Sequence, residues 1–207
     1  MTEKNIKNPT FIHLDVNSEY SIGKSVVRID ELLDECINEG IPAVGIADHG
    51  NLFSAYKIYK RAIKKGIKPI IGVTLSVQSE TSKSDYKLIL LCKDKLGYEN
   101  LSHLITRSYV EGYHLGEAKI KMKWINNKNA EGLVAISAYH EGIIQSLMLS
   151  NKESEVEIQI NFLKNNFGEN FFIGVTKINR EREVELLNKS VALSSKYDIP
   201  LIAMNNP

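Results

Sequence analysis

The 207-residue chain carries 26 Lys and Arg against 25 Asp and Glu, a formal net charge of +1, so no global field draws it to nucleic acid or to a membrane. Its 43% hydrophobic and 25% charged residues are ordinary globular proportions, which exclude a disordered tail, a collagen-like chain and a coiled-coil rod. No stretch approaches the ~18 consecutive apolar residues of a membrane span, and the opening MTEKNIKNPT lacks a signal-peptide core, so the expected location is the cytoplasm.

The first apolar run, PTFIHLDV, predicts a strand whose exit carries Asp15. In RIDELLDECINEG the residues Ile29, Leu32, Leu33, Cys36 and Ile37 recur at helical spacing, with Asp30 and Glu31 in the first turn and Gly40 at the stop. A second strand, Pro42 to Ala47, runs into Asp48-His49-Gly50. The helix after it has Leu52, Ala55, Tyr56, Tyr59, Ala62 and Ile63 as its apolar stripe and Gly66 as its stop. KPIIGVTLSV and YKLILLC follow as strands, then a helix over 98–111 with Leu101, Leu104 and Ile105 inward.

The stretch 112–131 has no helical stripe. Its Lys119, Lys121 and Lys123 alternate with Ile120, Met122 and Trp124, which predicts a solvated edge segment with its apolar residues toward the domain. GLVAIS is the fifth strand. Helices bearing Ile143, Ile144 and Leu147, then Val156, Ile160, Leu163 and Phe167, lead to the strand FFIGV. A helix with Val184, Leu187 and Val191 precedes the closing strand PLIAM. Seven near-continuous apolar strands alternating with helices predict parallel strands covered by helices, as a closed barrel or an open doubly wound sheet.

In such a fold, functional groups collect where strands end. The exits offer His13, Asp15 and Asn17, then Asp48 and His49, then Thr74, Tyr139 with His140, Lys177, and Asn205 with Asn206. A hydrolytic metal cluster needs about four to six oxygen or imidazole donors per ion. Asp15, Asp48 and His49 supply enough for one weakly bound divalent ion at most, and Asp48-His49 reads first as a carboxylate starting a helix with a loop histidine after it. Cys36 and Cys92 form no C-x-x-C pair and read as buried small hydrophobes; no nucleophile elbow, P-loop or glycine triplet occurs. The basic residues Lys57, Lys60, Arg61, Lys64 and Lys65 read as a solvated helix face.

FIHLDVNSEYS, the long run from RIDELL through DHGNLF to GIKPIIGV, then LGYENL, EGLVAIS and PLIAMNN resemble, in order and spacing, the PHP (polymerase and histidinol phosphatase) domain of bacterial DNA polymerase III alpha subunits. The resemblance spans nearly the whole chain. It implies an α/β fold, a distorted seven-stranded (β/α) barrel of PHP type, and one domain over 1–207 that is an excised N-terminal fragment of a longer polymerase. Metal-loaded members carry a His-x-His pair where this chain has Asp15 and Asn17. Asp48 and His49 match the family pair, whereas Thr74 stands for a glutamate, Tyr139 for a cysteine and Asn206 for an aspartate; 175–179 holds no histidine.

The implied domain is therefore non-catalytic, with no catalytic residue, no bound cofactor and only remnant metal positions at Asp15, Asn17, Asp48 and His49. Its implied partners are the rest of the polymerase III alpha chain, the proofreading exonuclease subunit, and DNA through the parent polymerase, which carries the nucleotidyltransferase activity in chromosome replication. The alternatives are a metal-dependent phosphoesterase or exonuclease using Asp15, Asp48 and His49, and a free-standing histidinol-phosphatase-like enzyme.

Overall fold

The computed structural model describes residues 11–79 and 85–205. Within them, helices α1 (Ile29–Asn38), α2 (Ala55–Lys64), α3 (Lys95–Glu111), α4 (Asn127–Ala130), α5 (Ile143–Leu149), α6 (Glu153–Phe167) and α7 (Glu183–Tyr197) surround eight strands. The strands are β1 (Ala43–His49), β2 (Lys68–Val77), β3 (Tyr86–Cys92), β4 (Tyr113–His114), β5 (Glu117–Ile120), β6 (Leu133–Ser137), β7 (Phe171–Val175) and β8 (Leu201–Ala203). They form one mixed sheet in the order β4-β5-β2-β3-β6-β7-β8, with β1 alongside β2.

The parallel-sheet expectation needs correction at β3. It runs antiparallel to both neighbours, pairing Leu90 with Val73 and with Ala135. Its apolar run reflects burial on both faces: Leu88 and Leu90 enter the core under α3, α5 and α6, while Ile89 and Leu91 enter the cluster holding Ala47, Ile136 and Met204. Two-sided burial removes the polar alternation that would have told an antiparallel strand from a parallel one.

The expected first strand is also different. Residues 9 and 10 lie outside the described residues, and 13–16 is an extended segment held on β1 by one bridge, Val16 to Ile46. Gly45 donates its N–H to the His13 carbonyl at 2.7 Å, and Val16 returns a bond to the Gly45 carbonyl at 3.0 Å. Leu14 packs against the interior cluster that contains Met204 of the chain's last described segment. Among the described residues no backbone ladder joins β8 to residues 11–16.

Helix stripes differ from the expected ones in α2 and α7. In α2 the buried positions are Ala55, Ile58 and Ala62, whereas Tyr56, Tyr59 and Ile63 face solvent. In α7 Val184 and Val191 are exposed, and Leu186 and Leu193 reach the core instead. α6 keeps its expected stripe, with Val156, Ile160, Leu163 and Phe167 all buried. The segment 112–131 is the expected edge: β4 and β5 form a hairpin, Ile120 and Trp124 are buried, and Arg107 lies over the Trp124 ring at 4.3 Å.

A methyl group on Gly45 would run into the Leu14 carbonyl, because the extended segment crosses directly over this residue. Gly45→Ala is therefore expected to lower stability by about 1–3 kcal/mol through overpacking and to loosen residues 13–16, read by urea unfolding and by faster amide exchange at Val16.

Candidate functional site

β1 and the extended segment run parallel, so Asp15 and Asp48 leave the sheet at the same end. The loop from Asn17 to Val27 then folds over that end. Gly23, with φ +77°, takes the left-handed turn that an L side chain resists, and the following residue, Lys24, is brought round toward β1.

Asp48 is 1% exposed and sits at the centre of a cage of donors. One carboxylate oxygen accepts the Ser18 amide at 2.7 Å and the Ser21 hydroxyl at 2.6 Å. The other accepts the Ser18 hydroxyl at 2.8 Å and the Ser54 hydroxyl at 2.5 Å. Ser21 Oγ in turn accepts the His49 N–H at 3.1 Å. Four donors offset the loss of hydration that an ionised buried carboxylate suffers. Asp48 is thus neither the expected helix-start cap nor a free ligand, and Ser54, the residue before α2, spends its hydroxyl on Asp48.

His49 faces a cation. Lys24 Nζ lies 3.3 Å from its Nδ1, and an ammonium can only donate, so Nδ1 is the acceptor and the ring proton belongs on Nε2. Burial, then the Lys24 and Lys87 charges, push the His49 pKa down to about 4. Burial and Lys87 also lower the Lys24 pKa, against the opposing pull of Glu117 and Glu141. Lys87 reaches Ser76 Oγ at 2.6 Å, and Ser76 donates to Glu117 at 2.5 Å, a bond that holds the Glu117 pKa down.

The remaining exit residues do not converge on a ligand set. Thr74 lies beside His49 in register but donates its hydroxyl to the Ala47 carbonyl at 3.1 Å. Asn17 Oδ1 is 3.4 Å from Ser21 Oγ. The His13 ring packs edge-on against Phe11, and Tyr139, at φ +36°, buries a hydroxyl with no hydrogen-bond partner. Arg180 Nη1 lies 2.8 and 2.7 Å from the two ring nitrogens of His140; Lys177 is exposed, and Asn206 falls outside the described residues. Among the described residues no group of three or more His, Cys, Asp or Glu side chains is arranged to hold a metal ion.

The chain belongs to the PHP domain family, whose model matches residues 13–177. Within that family it is similar to DNA polymerase III subunit alpha: 35% identical to the Pseudomonas aeruginosa protein over 198 residues and 32% to the Buchnera aphidicola protein over 203, covering 95% and 97% of this chain. In both comparisons the chain spans 17% of the relative's length. Solved structures of like fold include a Bifidobacterium adolescentis protein provisionally named a metal-dependent phosphoesterase, with TM-score 0.63, 11% identity and coverage of 93% and 85% of the two chains. Another is a Chromobacterium violaceum amidohydrolase holding sulfate and no metal, with TM-score 0.58, 12% identity and coverage of 94% and 86%.

The residues present do not fit a PHP-type metal cluster. Asp48 has its lone pairs committed to hydroxyl and amide donors, and His49 Nδ1 is committed to an ammonium. Lys24, Ser18, Ser21, Ser54 and Arg180 were not singled out by sequence reasoning. The serines lie inside or beside recognised motifs; Lys24 and Arg180 sit in loops without pattern.

Two outcomes test this arrangement. Asp48→Ala would leave three buried hydroxyls without their acceptor, and a loss of roughly 3 kcal/mol or more is expected in urea unfolding. Asp15 is buried without a cation, and burial raises its pKa from 3.8 to about 7 against its own amide. The folded chain then holds a proton that the unfolded chain releases, so this group's contribution is full below about pH 4 and is lost as pH rises toward about 7. Asp15→Asn is expected to flatten that window and to be the more stable form above neutrality, measured by unfolding at a series of pH values.

Proposed function

We propose that this chain acts as a non-catalytic PHP domain of a DNA polymerase III alpha subunit, bracing the polymerase and docking the proofreading exonuclease subunit. The observation that carries the reading is the state of the one surviving family pair: Asp48 bonded to three serines and His49 bonded to Lys24. Hydrolysis by a PHP-type site needs ions that lower the pKa of a bound water and clamp the phosphate. Here the same groups are spent on holding a loop to the sheet. The similarity to alpha subunits along 95% and 97% of the chain supports the replicative setting.

Docking is supported by apolar exposure beside the site. Ile22 and Val26 on the loop over Asp48, and Phe53 after His49, are 88%, 91% and 69% exposed, apolar side chains that a docked partner would cover. Direct DNA binding is disfavoured by local charge. On α2, Lys57 pairs with Glu19 at 2.5 Å, Arg61 with Asp30 and Lys65 with Asp34, so much of the basic face is already neutralised.

With Mn²⁺, Mg²⁺ or Zn²⁺ the chain is expected to show no cleavage of bis-p-nitrophenyl phosphate or of single-stranded oligonucleotide above background. It is expected to bind duplex DNA at physiological salt more weakly than roughly 10⁻⁴ M and to co-elute with the exonuclease subunit of its own organism. Chelator-sensitive cleavage abolished by His49→Ala would establish the phosphoesterase alternative instead. Tight duplex binding with no exonuclease complex would end the docking reading.

A further inference from the structure

Two of the three histidines at the strand exits are faced by a cation of the protein itself, Lys24 at His49 and Arg180 at His140. At His49 the consequence is sharp. A metal ion would coordinate through the lone pair on a ring nitrogen, and the Nδ1 lone pair points at an ammonium 3.3 Å away. A metal there has to displace the ammonium and then sit beside it, with Lys87 adding a second like charge to the same imidazole.

We propose that Lys24 is a tethered cation that takes the place of a divalent ion at the strand exits, bolting the loop 17–27 onto β1 and keeping metal off His49. The loop geometry supplies Lys24 in position. Ser18 and Ser21 fasten the loop to Asp48, Lys24 N–H bonds the Ser21 carbonyl at 2.9 Å, and Ser25 Oγ bonds the Asn17 carbonyl at 2.6 Å. Ordering the ammonium therefore costs little beyond its own rotamers, and its effective concentration at His49 exceeds that of free metal in solution. The charge also suits the surroundings: Glu117 and Glu141 act on Lys24, and Glu117 is shared with Lys87, a complement suited to single charges. The inference does not rest on which partner the domain docks, and neither outcome below depends on one.

Titration calorimetry with Zn²⁺ tests it. The unmodified chain and Lys24→Arg are expected to bind Zn²⁺ at least about tenfold more weakly than Lys24→Met, checked for cooperative melting, and Lys24→Met with His49→Ala is expected to fall back to the unmodified value. Equal Zn²⁺ affinity in the unmodified and Lys24→Met chains, or no gain in a folded Lys24→Met, would overturn the proposal. Should Lys24→Met not fold, imidazole ¹⁵N spectra of the unmodified chain decide: His49 Nδ1 resonating as an unprotonated acceptor and unmoved by millimolar Zn²⁺ supports the tethered cation, and a shift on adding Zn²⁺ refutes it.

Discussion

A carboxylate with almost no solvent contact holds the strand-exit end together. Asp48 ends β1, and its donors come from the loop over the sheet, through Ser18 and Ser21, and from the turn into α2, through Ser54. The loop before α1, the end of β1 and the turn into α2 meet on one carboxylate. Each bond from a hydroxyl or amide to a buried carboxylate is stronger than a neutral pair, but all of them lapse together if the charge is removed. The position of Lys24 at His49 follows from this anchoring, because the same loop carries both the serines and the lysine.

The sheet supplies the frame on which that anchoring works. β1 and β2 run in parallel register from Ala43 opposite Lys68 to His49 opposite Thr74, which sets the end of β1 level with Thr74, before β2 runs on to Val77. Gly45 lets the segment 13–16 lie close against β1, so that Asp15 and Ser18 arrive at that level too. The antiparallel β3 is buried on both sides and separates the helix-covered core from the interior cluster around Ala47, Ile136 and Met204. The sheet is thus packed on both faces beneath the site.

Much of this is legible from periodicity, and each failure has its own physical cause. α6 was read correctly because its apolar positions are Val, Ile, Leu and Phe at helical spacing with polar residues elsewhere. α2 was misread because Tyr56 and Tyr59 were counted with the apolar stripe, although a tyrosine is amphipathic and these two stand in water. The direction of β3 was hidden because YKLILLC is apolar at nearly every position, which two-sided burial demands of either orientation. At the site, the motif residues Asp48 and His49 were found, but their chemistry was not. Residue type alone cannot tell a carboxylate that will bind a cation from one that serines will surround. Lys24 carries no signal at all, since it is an exposed loop lysine like any other and only the turn at Gly23 brings its ammonium to His49.

The exchange of metal for side chains changes what the cleft needs from its surroundings. A divalent cluster requires a dense shell of anionic and imidazole donors, and in the absence of ions those donors repel one another or stand desolvated without compensation. The positions where the family resemblance implies such donors here hold Asn17, Thr74 and Tyr139, and two of these turn to neighbouring groups, Thr74 to the Ala47 carbonyl and Asn17 to Ser21. With the shell thinned, single charges suffice: Lys87 bonds Glu117, while Lys24 sits under the opposing fields of Glu117 and Glu141. The same substitution ties the order of this surface to the chain's own sequence and not to the supply of an ion. A loop so fixed keeps Ile22 and Val26 in a defined place on the surface. Preorganised apolar side chains cost less entropy to bury against a partner than mobile ones do. On the reading proposed above, a tethered ammonium in place of an ion and an ordered apolar loop are therefore compatible in one arrangement.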